Sequence, residues 1–229
     1  MKILFWDVDG TLLHTGRAGL FAIEQALTDL TGNDQIKLQR FQAGGRTDNY
    51  ICQQILLQAT GVMPTDQDVF SFCRYYEKLL VEFLKKTQGE VIQPISELLP
   101  FFDKEEGYVQ LLLTDNSREG AELKLSHYGI AEYFDFELSG FAEGFYFRNE
   151  LAAHAWEKVQ TAYGDEIEDV FVIGDTPFDV ECGKHIGAKT IAVATGARTL
   201  DMLLESEPWW AVPQLPDAQT MKRKLEERK

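Results

Sequence analysis

The stretch FWDVDGTLL, residues 5–13, sets two carboxylates around a single valine, directly after a short apolar run and directly before a glycine. One carboxylate after a strand is an ordinary turn residue. Two this close repel each other unless a cation or a shared proton sits between them. Asp7 and Asp9 therefore become informative through what the rest of the chain brings beside them.

Short apolar runs bounded by turn residues read as buried strands: KILFW at 2–6, YVQLLL at 108–113 and DVFVI at 169–173. TIAVAT at 190–195 is a fourth, and WWAV at 209–212 a fifth. Helical patterns at 118–128, 149–163 and 178–186 alternate with the later strands. That alternation predicts an α/β fold with a doubly wound parallel sheet. Residues 15–88 break the rhythm, because AGLFAIEQALTDL, TDNYICQQILLQATG and TDQDVFSFCRYYEKLLVEFLKK read as helix after helix. The pattern predicts a core of residues 1–14 and 89–229, with 15–88 inserted as a separate helical domain and hinges near 14–17 and 87–94. The mixed charge of MKRKLEERK at the carboxyl end reads as a solvated helix.

Composition narrows the function classes. With 45% hydrophobic and 26% charged residues the chain reads as globular rather than disordered. A net charge of −15 repels phosphate backbones and anionic lipid, so neither nucleic acid nor membrane is an expected partner. A small phosphorylated substrate stays open if the site supplies local cations. Cys52, Cys73 and Cys182 form no CxxC pair, and ILFW is too short for a signal-peptide core. Both fit a soluble cytoplasmic protein. Oligomeric state is not legible.

Three of the strand candidates end in residues capable of chemistry: Asp7 and Asp9; Thr114, Asp115 and Asn116; Gly174, Asp175 and then Asp179. Ligands of open α/β sheets sit outside the carboxyl ends of the strands, so a parallel sheet gathers these side chains at one edge. Carboxylates gathered there call for a counter-ion, and an all-oxygen set that must also accept phosphate suits Mg2+. Zinc is disfavoured, since His14, His127, His154 and His185 are scattered.

At these residues the chain resembles the haloacid dehalogenase (HAD) superfamily of phosphohydrolases, in its phosphoglycolate-phosphatase-like branch. DVDGTL matches the nucleophile loop, LLLTDN the run ending in threonine, and VIGDTPFDV the run followed by GDxxxD, in the same order and spacing. The resemblance implies a Rossmann-like core with a helical cap between the first two motifs, and a Mg2+-dependent phosphatase working through an aspartyl-phosphate. Asp7 is placed to attack phosphorus, and Asp9 to protonate the leaving oxygen and later activate water. Thr114 offers a hydroxyl to phosphate, Asn116 fixes the site, and Gly10 and Thr11 let the loop approach the substrate. Asp175 is a direct metal ligand, with Asp179 orienting it or binding through water. The resemblance also implies that Asp7 and the backbone carbonyl of Asp9 hold the metal. The family's basic residue, most often lysine, is best matched here by Arg148 in FRNEL, with Lys124 and Lys158 as rivals that read more simply as solvated helix residues.

Plainer readings of the same residues fit less well. A calcium loop fails, because glycine comes at the fourth position and Ala18 stands where the closing glutamate belongs. GKHIGAKT has the wrong spacing for a P-loop and precedes a strand. AGGRTD at 43–48 reads equally as a linker with a helix cap, or as a loop projecting Arg46 toward the leaving group. Phe70, Phe72, Tyr75, Tyr76 and Phe83 read as helix packing. Asp9 disfavours a dehalogenase, which needs no second aspartate. A phosphotransferase or mutase of the same superfamily, or a non-catalytic phosphate or Mg2+ sensor, are the alternatives.

Overall fold

The computed structural model of the protein describes residues 1–33, 38 and 45–227. Five strands form one parallel sheet: β1 (Lys2–Trp6), β4 (Tyr108–Leu112), β5 (Asp169–Gly174), β6 (Lys189–Val193) and β7 (Trp210–Val212), in the order β4-β1-β5-β6-β7. A further antiparallel pair, β2 (Leu13–His14) with β3 (Glu90–Val91), joins the two chain segments that flank the helical stretch. Period-two alternation explains why β1 lies inside. Leu4 and Trp6 face one apolar layer, with α4 (Ile95–Lys104), α5 (Arg118–His127) and α9 (Ala218–Leu225). Ile3 and Phe5 face the other, where α6 (Arg148–Tyr163) and α7 (Pro177–His185) pack through Leu151, Ala155, Val159 and Cys182. Both faces are covered, so the strands are nearly continuous in apolar residues. α8 (Leu200–Leu204) packs Leu203 against Val180 and Ala192.

The stretch after β2 forms α1 (Ala18–Thr31), α2 (Asp48–Thr60) and α3 (Asp66–Lys86), which pack on one another through Ala22, Leu27, Ile51, Ile55, Phe72 and Leu80. Local chemistry sets their ends. Thr47 caps α2 by accepting from the Tyr50 amide, Gly61 closes it in the left-handed conformation, and Thr65 with Asp68 forms a capping box at α3. Among the described residues no helix is long and apolar enough to cross a membrane.

Two elements differ from expectation. The 87–94 hinge continues into β3 and α4, which carries Pro100 inside it. The carboxyl-terminal helix α9 is not wholly solvated, because Met221 and Leu225 are buried in the layer with α4.

Sheet order places the site. β1 is followed in the sheet by β4 on one side and β5 on the other, which makes the β1/β5 boundary a topological switch point. Register pairs Trp6 with both Leu112 and Ile173. The next residues, Asp7, Leu113 and Gly174, therefore leave the sheet side by side.

Candidate active site

Asp7 follows the last residue of β1, and its amide donates to the Ile173 carbonyl at 2.9 Å, which fixes the start of the loop against β5. Beyond it the chain turns at once: the Leu12 amide donates to the Val8 carbonyl at 2.9 Å, and the Gly10 amide to the Leu13 carbonyl at 2.9 Å. Gly10 adopts φ +84°, and a Cβ there would lie 2.6 Å from Asp175 Oδ2. Only glycine combines that backbone with that approach. The Thr11 hydroxyl lies 3.5 Å from Asp175 Oδ1, and the Thr195 hydroxyl, from the loop after β6, donates to the Gly10 carbonyl at 2.6 Å.

Asp7, Asp175 and Asp179 form one buried cluster, each offering a carboxylate oxygen, with these atoms within 4.8 Å of one another. Arg148, the first residue of α6, reaches into it. Its Nη2 donates to Asp7 Oδ1 at 3.3 Å, to the Leu113 carbonyl at 2.9 Å and to Asp179 Oδ1, while Nη1 donates to Asp115 Oδ2. Burial disfavours the guanidinium charge, but Asp115, Asp179 and Asp7 outweigh it and hold Arg148 well above its ordinary value. One cation faces four carboxylates, and their titration reflects the excess. Burial, then Asp179, raises the Asp7 carboxyl well above the usual range against the pull of Arg148. Burial and then Asp179 push Asp175 up to about 8. A cluster of hard oxygen donors with surplus negative charge fits a divalent cation such as Mg2+, and Asp7 and Asp175 would hold it. Asp179 is more committed: its Oδ2 accepts from the Thr176 amide and hydroxyl in the capping box of α7, and its Oδ1 faces Arg148. The Asp9 carboxylate stands outside this cluster.

Asp9 belongs instead to a second group. Lys124 Nζ donates to Asp9 Oδ2 and, at 2.6 Å, to Asn116 Oδ1, while Asn116 Nδ2 donates to Asp9 Oδ2 at 2.9 Å and to Thr114 Oγ1 at 2.8 Å. Thr114 is fully buried, and a hydroxyl that accepts keeps its own proton to donate. The reading of Lys124 as a solvated residue is corrected here: it is buried, because α5 turns position 124 back toward the carboxyl edge of the sheet. Lys158 lies elsewhere, donating to the carbonyls of Glu137 and Ser139.

A cavity of about 240 Å3 opens over both groups, lined by Asp7, Asp9, Asn116, Lys124, Arg148 and Asp175 on the sheet side. The helical side supplies Leu20, Ile23, Ile51, Tyr76, Arg17 and Arg46. Arg46 is exposed and held over the rings of Phe178 at 4.6 Å and Tyr50 at 5.2 Å. Ala43 and Gly44 of the same loop lie outside the described residues. Tyr76 is more than helix packing, since it lines the cavity and donates to Asp48. Asp115, Asp48, Tyr76 and Thr195 are site residues that sequence reasoning did not assign, and Lys124 is one that it offered only as a rival to Arg148. Only Asp115 carried a signal, its place beside Thr114 at a strand end.

The haloacid dehalogenase-like hydrolase family matches residues 3–193. A phosphoglycolate phosphatase of Aquifex aeolicus is 22% identical over 198 residues, covering 86% of each chain. A pyrophosphatase, PpaX, of Halalkalibacterium halodurans is 28% identical over 113 residues, about half of each chain at 49% and 51%. A hydrolase structure from Pseudomonas syringae superposes with a TM-score of 0.70 at 17% identity, covering 99% of this chain and 100% of its own.

Proposed function

The chain belongs to the haloacid dehalogenase-like hydrolases, and from that premise we propose that it is a Mg2+-dependent phosphatase which hydrolyses a small phosphorylated metabolite through an aspartyl-phosphate. The observation that carries the reading is the Asp7–Asp175–Asp179 cluster, with Arg148 against Asp7, beneath a cavity of about 240 Å3. Phosphoryl transfer asks for an in-line nucleophile, charge neutralisation and a proton donor for the leaving oxygen.

Asp7 attacks phosphorus as the ester P–O bond breaks, and Asp9 gives its proton to the departing alkoxide. Asp9 then takes a proton from water, whose oxygen attacks the aspartyl-phosphate, releasing phosphate and restoring the Asp7 carboxylate and the acid form of Asp9. Lys124 and Asn116 hold Asp9 in place for both proton transfers. Thr114 donates to a phosphate oxygen, and Gly10 and Thr11 let the loop close on it. Arg148 keeps Asp7, Asp115 and Asp179 in fixed relation while supplying a permanent charge beside the phosphoryl group. A bound Mg2+, held by Asp7, Asp175 and the Asp9 main chain with Asp179 behind them, would neutralise phosphate charge.

Residues 15–88 act as a cap over the core of residues 1–14 and 89–229. The cap limits the substrate to a compact one, and Arg46 meets the part that leaves. Phosphate release from a generic aryl phosphate, abolished by chelation and restored by Mg2+, is the expected result. Absence of phosphate release with Mg2+ present would refute the reading, and an isomerised sugar phosphate as product would make the protein a mutase.

A further inference from the structure

Where the helical insert meets the sheet domain, one residue grips the segment that carries the second site group. Asp48 is the first residue of α2. Its amide donates to the Asp115 carbonyl at 2.8 Å, and its Oδ2 accepts from the Ser117 amide at 2.9 Å and from the Tyr76 hydroxyl. Main chain and side chain of a single residue thus hold both neighbours of Asn116. Asn116 in turn bonds Asp9 Oδ2 and accepts from Lys124. Two further bonds cross the same boundary nearby. The Ser117 hydroxyl donates to Glu77 Oε1 at 2.6 Å, and the Thr47 hydroxyl to the Tyr146 carbonyl at 3.2 Å.

We infer that Asp48 is a positioning residue that couples docking of the helical insert to the alignment of Asp9, by clamping residues 115–117. The inference rests on the proposed role of Asp9 as the proton donor to the leaving group. Docking supplies the Asp48 oxygen to the Ser117 amide, which fixes Asn116, which fixes the Asp9 carboxylate. Undocked, the 115–117 segment loses three bonds, and Asp9 loses the register that proton transfer needs. A general acid displaced by about 1 Å loses on the order of a hundredfold in rate. In the first step the loss falls on esters whose leaving oxygen needs the proton.

The test compares Asp48→Ala with Asp48→Asn on two substrates, an alkyl phosphate and p-nitrophenyl phosphate, whose phenolate leaves without help. Asp48→Ala is expected to slow the first step, read as release of the alcohol or phenol in a single turnover, about 10- to 100-fold on the alkyl ester and less than about threefold on the aryl ester. Asp48→Asn keeps an acceptor oxygen and is expected to stay within about threefold of the unaltered protein on both. Asp48→Ser suits a helix start and is too short to reach Ser117, so it replaces the alanine variant if that one does not fold. Hydrogen exchange is the readout independent of turnover: the Ser117 amide is expected to exchange faster in the alanine or serine variant and unchanged in the asparagine one. Equal losses on both esters in that first step, or unaltered Ser117 exchange in the truncated variants, would overturn the inference. If the unaltered protein released no phosphate at all, the functional reading would fall, and the exchange measurement would still decide the clamp.

Discussion

Arg148 carries more of the site than any other single side chain. Its two terminal nitrogens meet Asp115, Asp179 and Asp7, and it also donates to the Leu113 carbonyl at 2.9 Å. A lysine is a point charge on a flexible stem and cannot serve three carboxylates at once, so Arg148→Lys is not a conservative change here. Arg148→Met leaves the buried carboxylates without their cation, which costs about 3–5 kcal/mol. Urea unfolding in the presence of chelator is expected to show that loss, with Arg148→Lys between the two. A methionine variant as stable as the unaltered protein would contradict the charge account. The sequence singled out Arg148 because it stands before a polar-Glu-Leu run at a helix start. It misread Lys124 because a lysine at a helical position carries no mark of the side chain it will meet. Its partners Asp9 and Asn116 come from two other loops.

At the scale of elements, the two-stranded β2–β3 ribbon connects the helical insert to the sheet domain, and it depends on Gly89. A Cβ on that residue would lie 2.1 Å from the His14 carbonyl oxygen and 1.9 Å from the Tyr128 hydroxyl. The first of these is backbone and cannot swing aside. Gly89→Ala must therefore push the ribbon apart, an overpacking cost of about 1–3 kcal/mol. It is expected to lower the urea midpoint and to change KM and kcat together, because the ribbon sets how the insert meets the site; unchanged stability and kinetics would show that the ribbon tolerates separation. The sheet strands were legible because burial on both faces makes them short apolar runs, and of the insert helices α2 and α3 because their threonine caps are local, α1 by its apolar spacing alone. Helix α4 was not. Pro100 lacks an amide and reads as a breaker, yet the helix survives because Ile95, Leu98, Leu99 and Phe102 are all buried against the sheet. The half-buried α9 was hidden for a similar reason, since four of its eight residues are Lys, Arg or Gln and only Met221 and Leu225 reveal its inner face.

For the whole molecule, the acidic cluster links metal, pH and stability. Asp175 is raised from 3.8 to about 8 and Asp7 is raised as well, so without metal the folded chain binds more protons than the unfolded chain between these values. The stability these groups contribute is full below their unfolded pKa and is lost as pH rises through the folded one. In chelator the thermal midpoint is expected to fall between about pH 5 and about pH 8, and Mg2+ to restore it more at the higher pH, where it no longer competes with protons. A chelated midpoint that rises over that window, or an equal Mg2+ effect at both ends, would contradict the assignment of the cluster. The sheet order made such a cluster legible from three strand ends, since the parallel arrangement alone brings Asp7 and Asp175 together. The rest of the cavity lining was not legible, because Tyr76, Asp48 and Lys124 reach it only through the packing of the insert on α5. The most direct test of the whole account is to mix the protein with Mg2+ and a substrate carrying radiolabelled phosphate, quench in acid and locate the label. The account predicts a phosphoryl group on the peptide containing Asp7, absent from Asp7→Asn. Label on another residue, or turnover by Asp7→Asn at the unaltered rate, would contradict it.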